Sequence, residues 1–364
     1  MIDMTGLYIH IPFCKRKCPY CDFYSLDNQS EDILTAYVSR LSEEAKGYKD
    51  KKISVDTIYF GGGTPSVLRN SHICEILNEV RESFEVNSNA EITIEANPSS
   101  VDLKKLEGYR EAGINRISFG VQSACDNELL SLGRLHSFKK AREAIKNAQA
   151  AGFENISADL MIAIEGQTSD SLKSSVSKMA GLGVNHISCY ILKVEDGTPY
   201  SKMNLTLPDE DQCAEYYLLA SKLICDSGYE QYEISNFAKK GFESRHNLKY
   251  WQGEEYIGLG VSAYSYFGGV RYHNKRDLFS YLRKADIKVI DETDINKSEE
   301  YLTLSLRLSD GISIKKYVAL GGDFSILKKA KELPKSLIKI DRDKISLTNE
   351  GFLVSNEIIA KLLL

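Results

Sequence analysis

From Leu7 to about Ile191, short runs rich in β-branched and aromatic residues alternate with longer stretches whose apolar residues recur three and four positions apart. The strand-like runs are Leu7-Tyr8-Ile9-His10-Ile11, Thr57 to Phe60, Glu91 to Glu95, Arg116 to Gly120, Ile156 to Leu160 and His186 to Tyr190. Each is followed by a helical pattern: Ile33 to Tyr48, Ser71 to Phe84, Leu103 to Ala112, Phe138 to Ala151, Ser171 to Leu182 and Asp209 to Ser227. Such βα repetition predicts parallel strands joined by right-handed crossovers, in a doubly wound sheet or a barrel. Functional groups should then gather at the carboxyl ends of the strands.

The pattern changes after residue 200. Tyr256 to Tyr266 is an apolar run punctuated by Gly258 and Gly260, expected to close the pocket, with Val270 to Asn274 as its hairpin partner. The polar run Asp291 to Lys297 reads as a linker. Beyond it, helical segments Glu299 to Leu308, Ile314 to Leu320 and Ile326 to Lys331 precede a hairpin, Ile338 to Leu347, and a last helix from Asn349. Three units follow: a core over 1–200, a barrel-closing segment over 201–290, and a small winged-helix-like module over 291–364. The module mixes acidic and basic residues and does not read as a DNA-binding face; a lid or docking surface suits it better.

Composition places the chain among cytoplasmic, enzyme-sized proteins. It has 364 residues, 43% hydrophobic and 27% charged, enough for a sizeable core. A net charge of -5 gives no argument for a nucleic-acid partner. Met1 to Gly6 carries neither a basic nor an apolar leader pattern, and no stretch approaches the ~18 apolar residues of a membrane span. Cys74, Cys125, Cys189, Cys213 and Cys225 are scattered singly and read as reduced thiols.

The other three cysteines are different. Cys14, Cys18 and Cys21 follow the first strand directly, with Lys15, Arg16 and Lys17 between the first two. Positive charge there favours thiolates and offsets the negative charge of a thiolate-ligated cluster. A four-iron cluster held by three cysteines keeps one iron open for small-molecule chemistry. The alternatives are a zinc site or three unrelated buried cysteines; zinc recruits a fourth Cys or His with its own paired spacing, and no second such pair follows in the chain. Other unusual residues fall where strands end: Gly61-Gly62-Gly63-Thr64-Pro65 after the second, Glu95 at the end of the third, Gln122 after the fourth and Asp159 in the fifth. Consecutive glycines let backbone groups approach a ligand. Taken singly, Glu95, Gln122, Arg134 and Asp159 also read as structural ion pairs or caps. Their order along successive strands points to a site.

The Cys14, Cys18, Cys21 spacing resembles that of the radical S-adenosylmethionine superfamily, in which the open iron chelates the methionine part of S-adenosylmethionine. The resemblance narrows with Tyr8-Ile9-His10-Ile11-Pro12-Phe13-Cys14, the glycine run, Glu95-Ala96-Asn97-Pro98, Ser118 to Ser123 and Gly133-Arg134. These are similar to the oxygen-independent coproporphyrinogen III oxidase group and its HemW-type heme-chaperone relatives, over nearly the whole chain. The resemblance implies an α/β fold, a partial (β/α)6 barrel with additional C-terminal strands. It implies that Tyr8, Tyr20, Gly62, Gly63, Thr64, Glu95, Gln122, Arg134 and Asp159 surround S-adenosylmethionine. Arg134 would meet the carboxylate, and Gln122 and Asp159 the ribose hydroxyls. No catalytic residue is assigned beyond Glu95 as a candidate. After Asp159-Leu160 the group usually continues Tyr-Gly-Leu-Pro, whereas this chain reads Met161-Ile162-Ala163-Ile164-Glu165-Gly166-Gln167-Thr168.

Two features favour the heme-chaperone branch over the decarboxylating oxidase. The oxidase carries a further Cys two positions after the third ligand and a longer N-terminal extension, where this chain has Phe23 and only seven residues before Tyr8. His246-Asn247-Leu248-Lys249-Tyr250-Trp251 matches the His-Asn-x-x-Tyr-Trp signature of the chaperones. By that resemblance His246 is an axial heme ligand, with Tyr250 and Trp251 against the macrocycle; an ordinary half-buried packing cluster is the alternative. His10 reads instead as support for the cysteine loop. The implied cofactors are a [4Fe-4S] cluster, S-adenosylmethionine and heme. The implied partners are heme or a porphyrin, an electron donor protein and a heme-acceptor protein. In the family the reduced cluster cleaves S-adenosylmethionine to a 5′-deoxyadenosyl radical. The oxidase uses it for porphyrinogen decarboxylation; in a carrier it would be vestigial or regulatory.

Overall fold

The computed structural model describes residues 4–285 and 287–364. Six strands, β1 (Thr5–Ile11), β2 (Ser54–Gly62), β3 (Glu85–Ala96), β4 (Arg116–Gln122), β5 (Asn155–Ile162) and β6 (His186–Ile191), lie parallel in chain order. Helices α1 (Glu31–Lys46), α2 (Asn70–Ser83), α3 (Leu103–Ala112), α4 (Phe138–Ala150), α5 (Ser169–Ala180) and α6 (Glu210–Asp226) provide the crossovers and the outer layer. These twelve elements coincide with those predicted, to within two or three residues at most ends outside the longer β3.

Strand alternation sorts the two faces. Leu7, Ile9, Ile58, Phe60, Ile94, Ile117, Phe119, Leu160 and Ile187 are buried towards the helices, and each such side chain contributes about 1.5–3 kcal/mol. The register places Tyr8 beside Tyr59, Tyr59 beside Thr93 and Thr93 beside Arg116. Ser118, Ser157 and His186 continue that row, and Asp159 lies beside Ser188. The other face of the sheet is therefore a polar lumen. Central parallel strands are usually apolar on both faces; polar residues on one of them mark a surface kept for a ligand.

Within the segment over 201–290, helix α7 (Arg245–Gln252) packs across the floor of the lumen. Thr57 on β2 bonds His246, the Glu91 carboxylate on β3 accepts from the backbone N–H groups of Arg245 and His246, and Ser244 donates to Tyr232, which bonds His186 on β6. A single helix thus spans from β2 to β6. An anion at the first turn of a helix is favourable, because the backbone N–H groups there have no partners within the helix.

The remaining strands widen the sheet. β7 (Glu230–Glu233) and β8 (Asn236–Ala238) extend it beyond β6. On the other flank, β9 (Tyr256–Leu259) pairs parallel with β1, followed by antiparallel β10 (Tyr264–Phe267), β11 (Val270–Asn274) and β12 (Lys288–Glu292). The predicted hairpin is β10 with β11. Asp291 and Glu292, assigned to a linker, instead end β12; their cross-strand partners Arg271 and His273 hold them there. The 12-stranded sheet is open, ending in β12 and β7.

The last segment contains α8 (Lys297–Ser305), two shorter helices over Ile314–Ala319 and Ile326–Glu332, a three-stranded sheet and the terminal helices Asn349–Leu353 and Ser355–Leu363. The sheet orders β13 (Ile312–Ser313), β15 (Lys344–Leu347) and β14 (Ile338–Asp341). Among the described residues, no helix is long and apolar enough to cross a membrane.

Candidate functional site

The loop after β1 brings Cys14, Cys18 and Cys21 to the carboxyl end of the sheet, all three as free, partly accessible thiols. Cys14 lies in a two-residue ribbon, Phe13–Cys14 against Leu26–Asp27, and the Cys21 N–H closes a turn onto the Cys18 carbonyl. Thr64 Oγ1 donates to Cys14 Sγ at 3.4 Å, and Arg134 reaches Cys18 Sγ at 3.5 Å. Burial pushes the Cys14 and Cys21 thiols up, the charge of the neighbouring thiolates adds to this, and Lys17 opposes it. Three partly desolvated thiolates repel one another without a cation among them. An iron cluster relieves that repulsion, so the donor set fits the group. Among the described residues no three His, Cys, Asp or Glu side chains gather tightly enough to hold one metal ion; the thiolates of a cluster sit on different irons.

The glycine run packs directly on this loop. Gly63 donates to the Ile11 carbonyl at 2.9 Å and Thr64 to the Phe13 carbonyl at 2.8 Å. A Cβ on Gly63 would lie 2.8 Å from the Phe13 oxygen and 3.1 Å from Cys14 Sγ, and one on Gly62, at φ +112, would meet the His10 ring at 2.6 Å. His10 supports the loop as predicted. Its Nε2 faces the Tyr24 carbonyl at 2.9 Å, which only accepts, so Nε2 carries the proton and Nδ1 accepts from Tyr8 at 3.1 Å. Burial lowers its pKa to about 4, so the ring is neutral at physiological pH.

Above the loop, Arg134 donates to the Gly120 carbonyl at 2.7 Å and lies 3.4 Å from the Tyr20 hydroxyl, which packs edge-on to Tyr200. Arg134 thus couples the cysteine loop to the end of β4. Gln122 sits there in the left-handed region at φ +70, buried, with Oε1 lacking a partner among the described residues. A strained backbone and an orphaned acceptor at a strand's carboxyl end suit a bound ligand. Deeper in the lumen, Glu95 accepts from the Tyr59 hydroxyl at 2.8 Å and Asp159 from Ser118 at 2.9 Å. Burial pushes Glu95 up to about 7 and Asp159 up to about 6, against the hydrogen bonds from Tyr59 and Ser118 and the Arg116 charge.

Sequence reasoning missed Tyr59, Ser118, Ser188 and above all Arg116. This guanidinium, 2% exposed, lies in the lumen row with Nε lacking a described partner. A charged residue opening the β-rich run Arg116 to Gly120 was the available signal. The segment that departs from the family pattern is ordered by Gln167, whose Oε1 accepts from the Ala163 N–H at 2.8 Å. Met161 and Ile164 pack there with Leu132, Leu192 and Tyr200 as an apolar wall beside Tyr20. Ala163 sits at φ +60, where a Cβ is strained. Ala163→Gly is expected to raise stability by about 1 kcal/mol, seen as a higher denaturant midpoint.

His246 and Tyr250 lie together in the barrel floor, with Trp251 apart from them. His246 is 1% exposed, and both ring nitrogens are engaged, Nδ1 with Thr57 at 2.8 Å and Nε2 with Tyr250 at 2.9 Å. Its ring stacks on Tyr59 and Tyr8, and burial with the nearby Lys249 and Arg116 charges lowers its pKa to about 3. Neither nitrogen is offered to iron. Residues i and i+4 share a helix face, so His246 and Tyr250 point together into the floor, while Trp251 turns away towards the C-terminal segment. There its carbonyl accepts from Ser305, and Arg307 lies 5.7 Å over its ring.

A model of the radical SAM superfamily matches residues 8–179. The heme chaperone HemW of Bacillus subtilis is 36% identical over 379 residues, covering 99% of both chains, and that of Lactococcus lactis is 36% identical, covering 99% of this chain and 97% of its own. The Escherichia coli heme chaperone HemW is 38% identical over 71% of this chain and 69% of its own. Among solved structures, coproporphyrinogen III oxidase HemN of Escherichia coli superposes with a TM-score of 0.87, covering 99% of this chain and 90% of its own at 22% identity. That likeness establishes the partial-barrel fold with its additional strands. Identity above 30% across entire chains, together with the three-cysteine loop and the polar lumen, places this protein in the HemW heme chaperone family of the radical SAM superfamily.

Proposed function

We propose that this protein carries heme and delivers it to an acceptor protein in the cytoplasm, while a [4Fe-4S] cluster on Cys14, Cys18 and Cys21, reduced by a donor protein, binds S-adenosylmethionine. The observation that carries this is full-length similarity to heme chaperones, supported by a lumen whose cluster loop, glycine run and orphaned Gln122 Oε1 suit a nucleoside ligand. In this reading Tyr8, Tyr20, Gly62, Gly63, Thr64, Glu95, Gln122, Arg134 and Asp159 face S-adenosylmethionine, and Glu95 and Asp159 balance its sulfonium charge. The bound cluster supplies the electron; the chain's own residues orient the ligand and keep water out.

The raised carboxyls set a pH dependence. Each pKa is above its ordinary value in the folded state, so the stability of the unliganded protein falls as pH rises from about 4 to 7 and changes little above. A cationic ligand favours the ionised forms. S-adenosylmethionine is therefore expected to bind more tightly as pH rises from 5 to 7, releasing protons, which calorimetry in buffers of different ionisation enthalpy measures directly.

The decisive assay uses anaerobically reconstituted protein. Hemin is expected to bind stoichiometrically with a shifted Soret band and to pass to a heme-free acceptor apoprotein, while coproporphyrinogen III stays unchanged. Decarboxylation of coproporphyrinogen, or failure to take up hemin, would replace the carrier reading.

A further inference from the structure

We propose that Glu128 is the positioning residue for the ribose end of the S-adenosylmethionine site: set behind the wall of the lumen, it holds Gln122 in the strained backbone conformation that presents its side chain to the ligand. The assignment rests on the S-adenosylmethionine site proposed above and adds to it a residue that does not face the lumen.

Two neighbouring strand ends carry left-handed residues that are not glycine. Gln122 ends β4 at φ +70, and Ala163 directly follows β5 at φ +60. The two strands are paired, with a register shift between Phe119 and Gln122. Across Gln122 the Ser123 N–H donates to the Val121 carbonyl at 3.0 Å, a three-residue turn whose positive φ is the strained form. Such a backbone persists only where its surroundings over-determine it.

Glu128, 3% exposed on the short helix Asp126–Ser131, is the neighbour common to both ends. Its Oε2 accepts from Ser123 Oγ and, at 3.3 Å, from Gln167 Nε2, while its Oε1 accepts from Ser171 Oγ in the first turn of α5. Gln167 turns its Oε1 to the Ala163 N–H at 2.8 Å. Ser123 Oγ also accepts from the Cys125 N–H at 2.9 Å, so the residue after Gln122 is gripped from two sides. The carboxylate is thus fixed by the loop after β5 and by α5, and it holds the end of β4 in turn. One intervening side chain separates it from each strained residue.

The three donors to Glu128 are neutral side chains. A buried carboxylate held by neutral donors alone stabilises a fold less than apolar packing of the same volume, so stability does not account for it. Capping one loop would not account for it either, since a serine or asparagine suffices for that. Position does. Gln122 keeps an unpartnered Oε1, and a ligand hydroxyl finds that acceptor in place only while Ser123 is held.

The test titrates anaerobically reconstituted protein with S-adenosylmethionine by calorimetry, in wild type and in Glu128→Ala, Glu128→Gln, Ser123→Ala, Gln122→Ala and the double variant Gln122→Ala with Glu128→Ala. Glu128→Ala is expected to bind roughly tenfold more weakly, the scale of the strain held in one left-handed residue. Glu128→Gln should stay within about threefold of wild type, because its amide oxygen accepts from Ser123 and Gln167 while its NH2 donates to Ser171. The double variant should bind within about twofold of Gln122→Ala, since both substitutions remove the same contact. Should Glu128→Ala fail to fold, Ser123→Ala, which cuts the same link and is expected to weaken binding similarly, replaces it in both comparisons. Wild-type affinity in Glu128→Ala, an equal loss in Glu128→Gln, or losses that add in the double variant would overturn the positioning role while leaving the site in place. Failure of wild type to bind S-adenosylmethionine would overturn the site itself.

Discussion

Replacing any one of Cys14, Cys18 or Cys21 by serine is expected to abolish the ~400 nm thiolate-to-iron absorbance of the reconstituted protein and, with it, the proposed binding of S-adenosylmethionine at the cluster. Each iron but one needs its own thiolate, and no other cysteine lies in this loop to substitute. The protein should stay folded, because the three thiols are only partly buried in an irregular loop and such positions usually cost less than about 1 kcal/mol. Iron and sulfide content, with circular dichroism as the folding check, measures the outcome. Cys74→Ser serves as a control, since Cys74 lies on α2, away from the loop. A variant set that retained full iron and absorbance at all three positions would refute the ligand assignment. Arg134 gives the substitution at Cys18 an additional consequence. Its guanidinium now contacts Sγ and the Tyr20 hydroxyl, so losing the thiolate also loosens the link to Gly120 at the end of β4.

The alternation of β and amphipathic segments located the six parallel strands and their helices because local pattern and tertiary burial agree there: Leu7, Ile9, Phe60 and Ile94 are apolar in sequence and buried in space. The cysteine loop and glycine run were legible for a related reason, as their chemistry is carried by residues close in sequence. The lumen was less so. Tyr59, Arg116 and Ser118 meet only once strands distant in sequence are laid side by side, and a lone Arg in a strand has no local signature. Asp291 and Glu292 looked like linker because their partners, His273 and Arg271, lie 18 and 21 residues upstream. The motif around His246 was legible as a motif, but residue type alone could not say whether its imidazole faces iron or a pair of hydroxyls. Helical spacing could have separated Trp251 from His246 and Tyr250, as five residues turn a side chain well off the first face.

His246→Ala should therefore act on stability before it acts on heme. The imidazole bridges Thr57 on β2 and Tyr250 on α7 beneath the stacked rings of Tyr8 and Tyr59. Its removal strands two buried hydroxyls, at about 1–3 kcal/mol each, and opens a cavity below the rings. A total loss of about 3–5 kcal/mol is expected, read as a lower denaturant midpoint. Because α7 is held at the barrel floor by these contacts together with Glu91 at its N-terminus and Lys249 paired with Asp56, the damage should spread to the lumen. S-adenosylmethionine binding should weaken with it, because Tyr8 and Tyr59, which stack on His246, line that lumen. His246→Gln, which restores a donor and an acceptor near the two hydroxyls, should recover part of the stability. If His246→Ala instead kept wild-type stability but lost an imidazole-type hemin spectrum shown by wild type, α7 would have to leave the floor to present His246 to iron, and the carrier would work by opening its barrel.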